Sequence, residues 1–287
     1  MLNLQAKKLS PGVYLLATPI GTARDITLRA LDILASADVL VAEDTRSLRK
    51  LMDIHGIALG ERPLLSYHDH NGAQMRPRLL GFLAEGKSLA YASEAGTPMV
   101  ADPGFDLARA ARDAGHEVVS APGPSAVVTA LTLAGLPTDR FMFAGFLPNA
   151  KGARRKMLEE LRDVPATLAF YESPKRIAAM LADAVEVMGA DRDAAVCREL
   201  TKKFEEVLRG TLADLATTCA ERTLKGEIVV VIDRARSPNI NEVDLEAELK
   251  TLLDDMSVRD ASDMLAERTG VKRRKIYQMA LALSQDS

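Results

Sequence analysis

Two short polar clusters and one long loop hold most of the chemically capable side chains in this 287-residue chain. In AEDTR, Glu43 and Asp44 stand beside Arg46. Acids next to an arginine make either a plain salt bridge or an acid–base group with an anion holder, since the guanidinium fork grips phosphate or carboxylate with two hydrogen bonds. In SYHDHN (66–71), His68 and His70 are two apart and Asn71 follows. On a strand, residues two apart share a face, as paired metal ligands do. With no third ligand nearby, no metal site is expected. The loop YASEAGTPMVADPG (91–104) mixes Glu94 and Asp102 with two glycines and two prolines. It has no nucleophile beside a base. What it offers a ligand is backbone amides, carbonyls and small side chains.

The elements that must position these residues are short apolar runs. VYLLA (13–17), DVLVA (38–42), SLAYA (88–92) and EVVSA (117–121) have strand length without clean alternation, which suits a parallel sheet buried on both faces. Between the first two, Ile26, Ala30, Ile33, Leu34 and Ala37 fall on one helical face. FDLARAARDAG (105–115) predicts a second helix ending near Gly115. Strand–helix alternation of this kind predicts an α/β domain. A second set of strands is predicted at FMFAGF (141–146), TLAFYES (167–173), AAVCREL (194–200), EEVLRGTL (205–212) and EIVVVID (227–233), with a helix near 174–188. Antiparallel pairing of EEVLRGTL with GEIVVVI is expected, which makes that sheet mixed. RARSPNIN (234–241) reads as a linker. Beyond it the pattern is helical, with Ser257 as an N-cap and Gly270 between two amphipathic runs, a helix–turn–helix outline. The expected division is residues 1–122, 123–235 and a helical tail at 236–287.

Each first-domain strand runs into a polar or Gly/Pro motif: TPIGTARD, AEDTRSLRK, SEAGTP with ADPG, and APGPSA. The carboxyl ends of parallel strands share one edge, where ligands bind, so four loops converge on one site. TPIGTARD has the single glycine Gly21, which disfavours a dinucleotide fingerprint, and GxxxxGK[ST] does not occur. Ser93, Thr97 and Ser125 with their neighbouring backbone suit a neutral or zwitterionic ligand. The net charge of -3 supplies no global basic field, so any nucleic-acid contact must come from local patches. Cys197 and Cys219 have no CxxC spacing. A reducing, cytoplasmic setting is expected, with no membrane span.

The ordered series ATPIG, AEDTR, SYHDHN, SEAGTP, ADPG, PGPSA, GLPTDRF, GFLP, FYESPKR, RELTK and KGEIVVVI resembles the tetrapyrrole-methylase superfamily. Within it the similarity is to the branch that 2′-O-methylates a decoding-region cytidine of 16S rRNA. It runs through residues 12 to 233 and extends to the tail. The resemblance implies a two-domain fold, a homodimer and S-adenosylmethionine folded into the cleft. By matching motif, Pro19, Ser93, Ala95, Gly96, Thr97, Pro98, Asp102, Ser125 and Ala126 would hold the cofactor from the first domain. Tyr171, Leu200, Glu227 and Ile228 would close it from the second. The chain departs from the family pattern at Glu94, Met99, Ala101 and Lys175. Met99 replaces a glycine, and methionine rarely accepts the positive φ that glycine allows.

Methyl transfer to a hydroxyl needs the acceptor oxygen aligned behind the methyl group and its proton removed during attack. Asp44, with Glu43 beside it, is expected to serve as base, with His68 competing for that role and Arg46 holding phosphate. His70 and Asn71 would stand at the substrate mouth. Arg154, Arg155, Lys202, Lys203, Arg273 and Arg274 are candidate contacts to rRNA of the small ribosomal subunit. The last two open the second tail helix, where helix–turn–helix modules meet backbone and groove. Two other readings remain open here: the same fold acting on a small tetrapyrrole-like acceptor, and a ligand-sensing regulator whose tail binds DNA.

Overall fold

The computed structural model describes residues 5–100, 102, 104–235, 242–269, 271 and 273–285. Ala101, Gly270, Lys272 and linker residues 236–241 lie outside them. The chain divides into two compact units: residues 1–162 with 166–233, and 163–165 with 234–287.

The larger unit holds two five-stranded sheets. The first is wholly parallel. Its strands are β1 (Gly12–Leu16), β2 (Val39–Ala42), β3 (Leu64–Ser66), β4 (Ser88–Ala92) and β5 (Val118–Ala121), in spatial order β3-β2-β4-β1-β5. Tyr14, Leu16, Leu40, Ala42, Ala90 and Ala92 face a core built with α1 (Leu28–Ser36) and α2 (Thr45–Ile54). Val13, Leu15, Val39, Val41, Leu89 and Tyr91 face the opposite core, with α3 (Gly72–Ala84) and α4 (Gly104–Asp113). Alternate residues thus meet two different apolar layers, so these strands read as apolar throughout. Strand β3 escapes the sequence pattern, because three residues carry no periodicity. Residues 67–71 follow β3 as a turn into α3, which corrects the expectation that His68 and His70 share a strand face.

The second sheet contains β6 (Phe141–Phe146), β7 (Thr167–Glu172), β8 (Asp193–Arg198), β9 (Glu206–Thr211) and β10 (Ile228–Ile232), ordered β6-β7-β10-β8-β9. Only β6–β7 is parallel, so the sheet is mixed as expected. The pairing of β9 with β10 does not occur. Helix α8 (Leu212–Ala220) separates them in sequence, whereas β8 and β9 are joined by a short turn and pair as a hairpin. Helix α5 (Ala126–Ala134) packs Val127, Ala130 and Leu131 against one face of this sheet. Helix α7 (Ile177–Met188) contacts α8 and α6 (Lys151–Leu161).

The smaller unit contains α9 (Glu242–Leu253), α10 (Val258–Thr269) and α11 (Arg273–Gln285) around Leu245, Leu249, Ala261, Leu265, Ile276 and Ala280. Ser257 caps α10 as expected, its Oγ accepting from the Asp260 amide at 3.2 Å. Among the described residues, no helix is long and apolar enough to cross a membrane.

Candidate active site

The loops after β1 and β4 are tied together at the carboxyl edge of the first sheet. Thr18 N–H donates to Gly96 O (2.9 Å), and Gly96 N–H donates back to Thr18 O (3.0 Å). Ser93 is buried beneath them and donates to Gly96 O at 2.5 Å. Thr97 reaches Pro124 O (2.9 Å), and Ser125 caps α5 through the Val128 amide. These side chains brace the loops for their neighbours.

A cavity of ≈ 450 Å³ opens at this edge, walled on one side by the first-sheet loops and on the other by the second sheet. Ile20, Glu43, Glu94, Ala95 and Asp102 come from the first, and Ala126 from the start of α5. Tyr171, Glu172, Leu200, Glu227, Ile228 and Val229 come from the second. Thus seven of the residues expected from motif matching to hold a cofactor (Ala95, Asp102, Ala126, Tyr171, Leu200, Glu227 and Ile228) line one cavity. Pro19, Ser93, Gly96, Thr97, Pro98 and Ser125 lie in the same loops without lining it.

The polar character of the wall is acidic. None of the described lining residues is Lys or Arg. Burial, then the nearby charges of Glu94, Asp102 and Asp69, raise the Glu43 pKa, while His68 opposes them. Burial also raises the pKa of Glu172, whose Oε1 accepts from the Ser173 amide at 2.7 Å. The Tyr171 phenol is raised by burial and by Glu227. Cys197 is buried and its thiol is pushed up to about 11, mainly by burial, which leaves it protonated. Asp102 Oδ1 gathers three donors: Tyr91 OH (2.8 Å), Gly104 N–H (2.8 Å) and Met99 N–H (3.3 Å). The last bond holds Met99 at φ +68°, so the methionine adopts the conformation that a glycine would take.

Several expectations change on this geometry. Asp44 is the N-cap of α2: its Oδ1 accepts from the Arg46 amide (2.9 Å) and the Arg46 guanidinium (3.2 Å). Those bonds lower its pKa, and it is absent from the cavity lining. Arg46 itself is almost fully exposed. Asn71 spends its side chain on the local turn, accepting from His68 N–H and donating to Ser66 O. His68 and His70 meet edge to face, with ring centroids 6.0 Å apart, and His68 Nδ1 is buried without a protein partner.

Of the expected RNA contacts, Arg154 is a correction. It is buried and forms a two-pronged ion pair with Asp183, Nε and a terminal nitrogen each 2.7 Å from Oδ2. Side chains at 154, 158 and 161 share the inner face of α6, and that periodicity marks Arg154 as interior. Arg155 is half-exposed, with Glu186 at 3.8 Å. Lys202 is engaged by Glu199 and Glu227, whereas Lys203 lies over the Phe204 ring at 5.5 Å. Arg273 pairs with Asp263 and lies 5.8 Å from the Tyr277 ring, and Arg274 is exposed. Motif reading gave no role to Ile20, Glu94, Phe146, Glu172, Cys197 or Val229, all of which line the cavity. Apolar wall residues carry no chemical signal. GFLP and FYESP, which hold Phe146 and Glu172, were the available pointers.

Comparison with known proteins agrees with this architecture. Residues 12–216 match the family model for tetrapyrrole (corrin/porphyrin) methylases, and residues 240–284 match the RsmI C-terminal HTH domain. The chain is 46% identical over 286 residues to ribosomal RNA small subunit methyltransferase I of Mesorhizobium japonicum, covering 99% of this chain and 96% of that one. It is 41% identical to the protein of the same name from Vibrio cholerae, covering 95% of each. Among solved structures, the methyltransferase CobJ superposes with a TM-score of 0.61 at 22% identity, over 81% of this chain and 98% of that one. Uroporphyrin-III C-methyltransferase from Thermus thermophilus, complexed with S-adenosyl homocysteine, has a TM-score of 0.55 at 17% identity, over 77% of this chain and 97% of that one. At those identities the structures speak to fold alone. The chain belongs to the tetrapyrrole methylase family and, within it, to the ribosomal RNA small subunit methyltransferase I proteins.

Proposed function

We propose that this protein transfers a methyl group from S-adenosylmethionine to the ribose 2′-oxygen of a decoding-region cytidine in 16S rRNA. The observation that carries the reading is near-full-length similarity to rRNA small subunit methyltransferases, together with a cavity whose wall suits the cofactor. Glu94 and Asp102, which have no ion-pair partner among the described residues, favour a sulfonium and an amino group and disfavour a phosphate. Ile20, Ala126, Leu200 and Val229 supply apolar surface for the uncharged part. When bound, S-adenosylmethionine supplies an electrophilic methyl group.

The base in this reading is Glu43. It reaches the cavity from the end of β2, and its raised pKa moves it toward the neutral range where a general base works well. Asp44 becomes a helix cap that sets the direction of α2. Arg46, exposed at the same helix start, holds a phosphate of the RNA. Ala95 and Asp102 hold the cofactor from the first-sheet loops, and Tyr171, Leu200, Glu227 and Ile228 from the second sheet. The tail adds rRNA contacts, and the protein acts in the cytoplasm as a homodimer on the small subunit.

The test is transfer of radiolabelled methyl groups to small subunits lacking the modification, followed by digestion to nucleosides. Label on one cytidine ribose upholds the reading. Absence of label on subunits and on free 16S rRNA, with cofactor binding intact, overturns it in favour of a small tetrapyrrole-like acceptor.

A further inference from the structure

The turn between β8 and β9 contains two left-handed residues that are not glycine: Glu199 at φ +52° and Thr201 at φ +62°. Leu200 lies between them and lines the cavity. Such backbone persists only where its surroundings over-determine it. Here they do so from two sides.

On one side, Lys202 Nζ donates to Glu199 Oε1 (3.0 Å) and to Glu227 Oε2. The Glu227 amide also donates to Glu199 Oε1, at 3.1 Å. The Glu199 carboxylate fits against β10 because Gly226 has no side chain; a Cβ there would collide with it. On the other side, the Thr22 amide of the TPIGT loop donates to Thr201 Oγ1 at 3.1 Å. Gly21 permits that approach, since a Cβ would stand 2.5 Å from Thr201 Oγ1 and 2.8 Å from Leu200 O. The lone glycine of TPIGT therefore serves the contact between the two walls of the cavity.

We infer that Lys202 is a positioning residue: with Glu199 and Glu227 it clamps the 199–202 turn to the start of β10 and so sets the place of Leu200 in the cofactor wall. This rests on the cofactor reading above and removes Lys202 from the RNA contacts. The charge of Lys202 is shared by two carboxylates of the same chain, the largely covered Glu199 and the more exposed Glu227, which lines the cavity.

The test compares wild type with Lys202→Met, Lys202→Arg and Gly21→Ala. The expected result for Lys202→Met is an affinity for S-adenosyl homocysteine, read by calorimetry, weakened about tenfold by the displaced wall. KM for the cofactor rises in step, while kcat at saturating cofactor stays within about twofold. Lys202→Arg recovers most of the affinity, and Gly21→Ala reproduces the loss with the lysine intact. Affinity for RNA and its salt slope are unchanged. Unchanged cofactor affinity in Lys202→Met overturns the inference, as does a salt slope reduced by about one, which marks a phosphate contact. Hydrogen exchange of the 199–207 amides in the ligand-free protein separates the clamp from the cofactor reading. If wild type binds no S-adenosyl homocysteine, the cofactor reading fails, and exchange alone decides the clamp: faster exchange in Lys202→Met supports it, and unaltered exchange overturns it.

Discussion

Glu43 and Asp44 are adjacent in sequence and opposite in environment. Glu43 lines the cavity, with its pKa raised by burial and neighbouring carboxylates, whereas Asp44 caps α2 with its pKa lowered by hydrogen bonds from Arg46. A base that must take a proton from a hydroxyl gains from the first setting and loses from the second. Glu43→Gln is expected to lower kcat by about 10²–10⁴ with little change in cofactor affinity. Asp44→Ala is expected to lower the melting temperature and leave kcat far closer to wild type. Single-turnover methyl transfer on both variants decides; equal losses would return Asp44 to the catalytic role.

The raised pKa of Glu43 also has a sign in stability. The folded protein holds the Glu43 proton more tightly than the unfolded chain does. Between the ordinary glutamate pKa and the raised folded value, the folded state therefore binds more protons, and its stability falls as pH rises. Glu43→Gln removes this loss. The variant is expected to be more stable than wild type at neutral pH, and the difference to close below the ordinary glutamate pKa. Urea denaturation at pH 7.5 and again near pH 4 measures it.

Much of the candidate site is legible in the sequence, and what is not has physical causes. Convergence of four strand-end motifs follows from parallel topology, and the first-sheet loops do meet at one cavity. The β9–β10 pairing expected from the sequence gives way to a β8–β9 hairpin because LADLATTCA forms α8 between β9 and β10. Within AEDTR, both acids have the same local composition. What separates them is depth, which α2 fixes when it begins at Thr45 and takes Asp44 as its cap. The role of Gly21 depends on Thr201, 180 residues away in the chain, and no local pattern carries that.

Met99 keeps a left-handed backbone at φ +68° while its side chain is 42% exposed. Left-handed geometry costs an L-residue about 1–2 kcal/mol, and the extra unfolded-state freedom of glycine returns about 0.5–1 kcal/mol of that. Met99→Gly relieves this strain but also gives up the covered part of the methionine side chain, so it is expected to change stability by no more than about 1 kcal/mol. Chemical denaturation reads the change. A larger loss would mean that the methionine side chain makes contacts worth more than the backbone strain.

Arg154 and Asp183 have side chains only 7% and 5% exposed. Removing one partner strands the other charge away from water, which costs about 3–5 kcal/mol. Arg154→Met is expected to lose that much stability, and Arg154→Met with Asp183→Leu to recover a large part of it. The single variant should bind RNA with wild-type salt dependence at temperatures where it is folded. A lost phosphate contact without destabilisation would put Arg154 back on the surface.

Cations already committed to carboxylates release few counterions when RNA binds, so the exposed ones should dominate the salt response. Arg274 is exposed on α11, and Lys203 is exposed beside Phe204. Arg273, one position earlier, is tied to Asp263 by two hydrogen bonds, the longer at 3.3 Å. Replacing Arg274 or Lys203 with alanine is expected to weaken rRNA binding and to reduce the salt slope by about one each. Arg273→Ala should change the slope less, because the Arg273 charge is already balanced by Asp263 and neutralises no phosphate. Binding to a decoding-region RNA across a salt series measures all three. Equal slopes for Arg273→Ala and Arg274→Ala would mean that the Asp263 pair opens when RNA arrives.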